Sequence, residues 1–160
     1  MLQIVTADWA QPEHARAVVT LLDAYASDPA GGGEGLSPFT RDNLVRELAA
    51  RPQAFSVLAL DGDLPVGLVN CFEGFSTFAC RPLVNVHDVV VLGHHRGQRI
   101  GEKMLAHVEQ MARARGACKL TLEVLSGNRS AGRLYERVGF AAYQLDPALG
   151  QAQFLQKWLD

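Results

Sequence analysis

Apolar residues recur along this chain with two different spacings, and the changes between them mark its elements. Leu2 to Thr6 alternates and predicts an opening strand. Pro12 then starts a helix, because its fixed φ suits a first turn, and Ala15, Val18, Val19, Leu22 and Tyr25 keep helical spacing up to a stop near Asp28-Pro29. The stretch Ala30-Gly31-Gly32-Gly33-Glu34-Gly35 is too rich in glycine for an element interior. A second helix follows, with Thr40 as its N-cap and Leu44, Val45 and Leu48 on its apolar face. From Phe55 the spacing drops to two. Ser56 to Leu60, a turn at Asp61-Gly62-Asp63, and Pro65 to Phe72 predict a hairpin, so part of the sheet is antiparallel.

A third strand, Val84 to Leu92, is built around Val89-Val90-Val91 and runs into Gly93-His94-His95-Arg96-Gly97-Gln98-Arg99-Ile100-Gly101. The next helix places Ile100, Met104, Val108, Met111 and Ala112 on one face and ends at Gly116. Lys119 to Leu125 alternates as a strand. Asn128 caps a short helix carrying Ala131, Leu134, Tyr135 and Val138, and Gly139 ends it. Phe140 to Gln144 and Gln153 to Trp158 predict a closing pair of strands. The order is strand, two helices, three strands, helix, strand, helix, two strands, which predicts a layered mixed α/β domain over residues 1–160.

Composition sharpens this picture. The chain has 160 residues, 48% hydrophobic and 20% charged, which excludes a disordered segment, a disulfide-stapled miniprotein and a fibrous repeat. It has no run of about 18 apolar residues, and its first eight residues lack the basic and apolar regions of a signal peptide, so it reads as cytoplasmic with no membrane association. Cys71, Cys80 and Cys118 are odd in number and widely spaced, which predicts reduced, buried thiols. His94-His95 is the only adjacent histidine pair, and without converging ligands it predicts no metal.

The net charge of −2 speaks against a nucleic-acid partner but conceals a division. Residues 94 to 137 hold nine basic and four acidic side chains, a net of +5, leaving −7 elsewhere. That asymmetry suits an anionic ligand on the basic segment and an amine partner on the acidic remainder. A solvated helix face would give much of the same count.

The strand, glycine-containing loop and helix start at residues 89–101 supply unpaired backbone N–H groups, the positive end of a helix dipole, and room for close approach. Phosphate fits such a turn, although many such turns only pack a strand against a helix. The loop lacks both the nucleotide P-loop pattern and the dinucleotide fingerprint. Arg96 and Arg99 favour the anion, since a guanidinium matches phosphate geometry and a plain turn gains nothing from two cations beside the dipole.

Val91 through Gly101, with Arg96-Gly97-Gln98-Arg99-Ile100-Gly101, resembles the acyl-CoA pyrophosphate loop of the GNAT superfamily of N-acetyltransferases. Asn128 through Phe140, reading Asn-Arg-Ser-Ala-Gly-Arg-Leu-Tyr-Glu-Arg-Val-Gly-Phe, resembles that superfamily's final motif, and the order of elements is similar too. The loop in that family usually reads Arg-x-x-Gly-x-Gly, and here Arg99 stands at the first of those glycines. Its backbone is expected to take the helical region that a helix start supplies.

The resemblance implies a central mixed, mostly antiparallel sheet of about six to seven strands, splayed in the middle and flanked by about four helices. It implies acetyl transfer from acetyl-CoA to a small-molecule or peptide amine, by direct attack on the thioester with no metal, and it leaves a homodimer open. The backbone of Val89, Val90 and Val91 would lie along the pantetheine. The amides from Gly97 through Gln98, Arg99 and Ile100 to Gly101, with Arg96 and Arg99, would hold the pyrophosphate. Tyr135 would contact the cosubstrate and serve as the general acid, since a phenol near pKa 10 can donate to a departing thiolate; the plainer reading is a half-buried aromatic. Asn128 would bind the cosubstrate, cap its helix, or both. The base is open among Asp88, His87, Glu123 and Glu73. The loop at Gly31-Gly32-Gly33 is a substrate lid or an ordinary connection. The rivals are an acyl-CoA-binding sensor without turnover and a nucleotide-phosphate binder.

Overall fold

A computed structural model describes residues 1–159, which form two compact units, Met1–Leu122 and a second that starts at Glu123. The first unit contains β1 (Leu2–Thr6), α1 (Pro12–Ser27), α2 (Pro38–Ala49), β2 (Ala54–Asp61), β3 (Leu64–Ser76), β4 (Arg81–Val91), α3 (Ile100–Ala114) and β5 (Leu120–Leu122). The five strands lie in the order β1-β2-β3-β4-β5, antiparallel throughout except for the parallel pair β4–β5. Parallel neighbours need a crossover, and α3 provides it.

Local chemistry sets the helix limits. α1 opens at Pro12 and stops where Asp28 precedes Pro29, a residue that disfavours helical backbone before it. α2 is capped by Ser37, not by Thr40: the Ser37 hydroxyl accepts from the Thr40 N–H at 3.1 Å and Pro38 takes the first helical position. Thr40 therefore lies inside the helix. α3 ends before Gly116, whose φ of +74° suits a residue without Cβ.

Both faces of the sheet are covered, so β2 is buried at six successive positions. On one face Leu58, Leu68 and Val90 are partners in register and pack with Ala17, Val18 and Leu21 of α1 and Leu48 of α2. Alternate residues point the other way, toward α3, where Ile100, Met104, Leu105, Val108 and Ala112 are buried. Gly67 permits this close packing, since a Cβ there would stand 2.9 Å from Met104 Cε.

The second unit holds α4 (Arg129–Arg137). Asn128 caps it, its Oδ1 accepting from the Ala131 N–H at 3.2 Å, and Gly139 leaves it at φ +97°. No strand forms after Leu122 among the described residues, so the expected strands at 140–144 and 153–158 are absent and Lys119–Leu125 shrinks to three residues. The apolar members of those tail stretches, Tyr143, Phe154, Leu155 and Trp158 among them, stay exposed, and alternation without a partner ladder makes no strand. The sheet has five strands where about six to seven were expected. The fold class itself, a mixed and mostly antiparallel sheet with four helices, is as expected.

Candidate functional site

β4 pairs with β3 along its length but with β5 only through Val84, Asn85 and Val86. Beyond Val86 no strand lies at its outer edge among the described residues, so the sheet opens beside Val89, Val90 and Val91. The ladder is irregular here too. Asn70 faces Asp88 and Cys71 faces Val86, which makes His87 the extra residue of a bulge in β4.

After β4 the chain makes a 3-10 turn at Gly93–His95, passes Arg96 and turns at Gly97, where φ is +79°. Arg99 departs from expectation: its φ of 59° and ψ of 22° lie in the left-handed region, not the right-handed one. The loop needs left-handed backbone at 97 and again at 99. Glycine meets the first need without strain and arginine meets the second with it. α3 begins at Ile100 with no side-chain cap from Arg99. Its first N–H groups have no partner within the helix and point out at the positive end of the dipole, where a phosphate fits. A Cβ at Gly97 would meet nothing within 4 Å, so that glycine serves the turn rather than clearance.

Arg96 is already engaged. Its Nε donates to the Val91 carbonyl at 3.0 Å, and its Nη2 pairs with Asp28 at 3.3 Å. Asp28 also accepts from the Ala30 N–H, and that bond first, then Arg96, holds its carboxyl below the usual carboxylate range. Asp23 accepts from the Leu36 N–H at 2.8 Å and from Arg41 Nη2 at 3.0 Å. The glycine-rich connection is therefore tied at both ends, and Arg96 joins it to the loop before α3.

The acidic candidates separate by environment. Glu73 pairs with Arg115 at 3.1 Å, and that guanidinium also stands 4.6 Å above the Phe55 ring, so the Glu73 carboxylate is already engaged by a cation. Glu123 is exposed and lies one residue past the end of β5, not on the strand as expected, because the ladder with β4 stops at Leu122. Asp88 alone lines the open stretch of β4. Its side chain is 17% exposed, its Oδ2 accepts from Asn70 Nδ2 at 3.0 Å, and His87 Nδ1 stands 3.3 Å from the same oxygen. The Tyr25 phenol on α1 is pushed up by burial and then by the charges of Asp88 and Asp28, so it remains a donor. Cys71 is buried, and desolvation, with Asp88 adding to it against Arg115, pushes its thiol up to about 12. Cys80 is exposed, contrary to expectation, at the tip of the β3–β4 hairpin.

In the second unit, Tyr135 is half-buried on α4 and meets Phe140 edge to face at 5.9 Å, while Asn128 is the cap. Sequence reasoning missed Ser56 and Asn70. Both are buried and polar, and they were visible only as polar letters at core-facing positions of alternating strands.

The chain matches the family model described as the acetyltransferase (GNAT) family over residues 10–140. It is 37% identical over 102 residues to streptothricin acetyltransferase of Streptomyces lavendulae, a match covering 64% of this chain and 51% of that protein. The chain thus spans about half the length of that curated relative. Among solved structures, a probable acetyltransferase superposes with a TM-score of 0.82 at 22% identity, covering 99% of each chain. AAC(6')-Iy in complex with the bisubstrate analog CoA-S-monomethyl-acetylneamine superposes with a TM-score of 0.79 at 13% identity, again over 99% of each. These two likenesses concern the fold.

Proposed function

This chain belongs to the GNAT acetyltransferase family, and from that premise we propose that residues 1–160 act as an N-acetyltransferase moving the acetyl group of acetyl-CoA to a primary amine. The observation that carries the reading is the junction of an open β4 edge with an uncapped α3 start, separated by a loop with two left-handed residues.

In this reading the backbone of Val89, Val90 and Val91 lies along the pantetheine amides, as an added strand would. The N–H groups from Gly97 to Gly101 and the guanidinium of Arg99 hold the pyrophosphate. Arg96 joins them once it leaves Asp28. Acetyl-CoA supplies an activated acetyl thioester. The amine nitrogen bonds to the carbonyl carbon as the carbon–sulfur bond breaks, giving an amide and free thiol. Asp88 takes the proton that an arriving ammonium must lose and passes it to water. Tyr135 donates a proton to the departing sulfur, a role resting on its place in the Asn128–Phe140 motif, and Asn128 both caps α4 and binds the cosubstrate. Glu123 and Glu73 have no part as base.

The acceptor is a cationic amine. Support comes from the negative charges of Asp88 and Asp28, both felt by Tyr25, the −7 net charge outside residues 94–137, and the streptothricin enzyme among the relatives. A screen of acetyl-CoA with streptothricin, sisomicin, thialysine, spermidine and an alanine-initiated peptide, followed by thiol release, tests this. Turnover of a polycationic amine is expected. Tight coenzyme A binding with no turnover of any amine would instead make the chain a sensor.

A further inference from the structure

Ser56, Asn70 and Asp88 are direct partners in register across β2, β3 and β4, on the sheet face that α1 and α2 cover. Two residues further along, the same three strands place Leu58, Leu68 and Val90 in an apolar row. The sheet face thus accepts an all-apolar row, yet here it buries a serine at 0% exposure and an asparagine at 3%. Buried polar groups like these contribute little net stability, and apolar replacements of similar shape are often neutral or better.

The row has a fixed polarity. An ionised carboxylate only accepts, so the Asn70 amide must turn its NH2 to Asp88, 3.0 Å away. The Asn70 carbonyl oxygen then faces Ser56, whose hydroxyl donates to it at 2.6 Å. Each buried polar side-chain atom is satisfied in this arrangement only. Contacts from Asn70 and His87 both fall on Oδ2 of Asp88, so that oxygen fixes the plane of a carboxylate that is still 17% exposed.

We propose that Ser56 and Asn70 are positioning residues that orient the Asp88 carboxylate toward the acceptor amine. The proposal rests on the reading of Asp88 as base. Neither residue touches substrate. Ser56 locks the Asn70 amide, Asn70 locks Oδ2, and Asp88, the member of the row that reaches solvent, receives the proton.

The test is a double-mutant cycle, read with the fastest amine of the panel above. Asp88→Asn should lower kcat/KM for the amine by about a hundredfold or more, as loss of a general base does. Asn70→Leu should lower it about tenfold, the worth of one hydrogen bond to a charged group, and leave the Kd for acetyl-CoA within about twofold. In the Asp88→Asn background the same change should cost less than about twofold, because the group being oriented is gone. Ser56→Ala, a smaller perturbation, should behave likewise and carries the test if Asn70→Leu does not fold. An Asn70 or Ser56 loss that is equal in both backgrounds, or no loss at all, overturns the positioning role while leaving Asp88 as base. Full activity in Asp88→Asn removes the base itself and the positioning with it.

Discussion

Arg99 offers the most direct test of the loop before α3. It holds φ 59° and ψ 22° at the N-cap of that helix, a conformation that costs an L-residue about 1–2 kcal/mol. Its cation sits beside a positive helix end, for about a further 0.3–1 kcal/mol. Arg99→Gly removes both penalties but returns about 0.4–1 kcal/mol through the freer unfolded chain. Arg99→Ala relieves only the charge. The glycine variant should therefore exceed the alanine variant by about 0.5–1 kcal/mol, or about 1–4 °C in Tm for a chain of this size. Calorimetric titration of coenzyme A tests the other half. Loss of a charge-assisted contact to pyrophosphate should weaken both variants about tenfold. An alanine variant as stable as the glycine one would refute the left-handed assignment, and coenzyme A bound at wild-type strength by both would refute any guanidinium role.

Three further outcomes are expected. Tyr135→Phe should lower kcat by about a hundredfold or more, far more than it weakens coenzyme A affinity; an unaltered kcat removes the general-acid role. Cys71, held protonated, should resist a thiol reagent at pH 8 that labels Cys80 rapidly, and the stability it contributes should be intact below the ordinary thiol value and decline as pH rises toward 12, a decline Cys71→Ala should lack in alkaline melts. Asp28, with its carboxyl lowered, contributes stability above the ordinary carboxylate range that is lost as pH falls through the lowered value, so the Tm gap between wild type and Asp28→Asn should close on acidification. A gap unchanged down to about pH 2 would show that the ionised contacts to Ala30 and Arg96 are not its source.

What the sequence disclosed follows from the range of the forces involved. α1 was legible at both ends because Pro12 and Asp28-Pro29 act locally, and the β4–α3 unit because a valine run, two glycines and an amphipathic period lie end to end. Thr40 misled because the deciding residue was the serine before a proline. The Arg96–Asp28 pair joins residues 68 apart, and the Ser56–Asn70–Asp88 row depends on register and on a bulge at His87 that no local pattern encodes. The tail strands failed for the opposite reason: their alternation is real, but a ladder needs a neighbour, and periodicity describes one chain segment at a time.

The brevity of β5 has one more implication. A sheet margin with nothing hydrogen-bonded to it is adhesive, and proteins ordinarily guard such margins against joining their counterparts on other molecules. Among the described residues no strand guards the margin of β4 beside Val89–Val91, the stretch proposed to receive the acyl donor, and the deterrents nearby are the His87 bulge, which disrupts the pleat, and the charge of Asp88. Under the proposed reading, donor recognition and resistance to self-association draw on the same few residues, and a change that smooths that stretch of strand into regular pleat would compromise both at once.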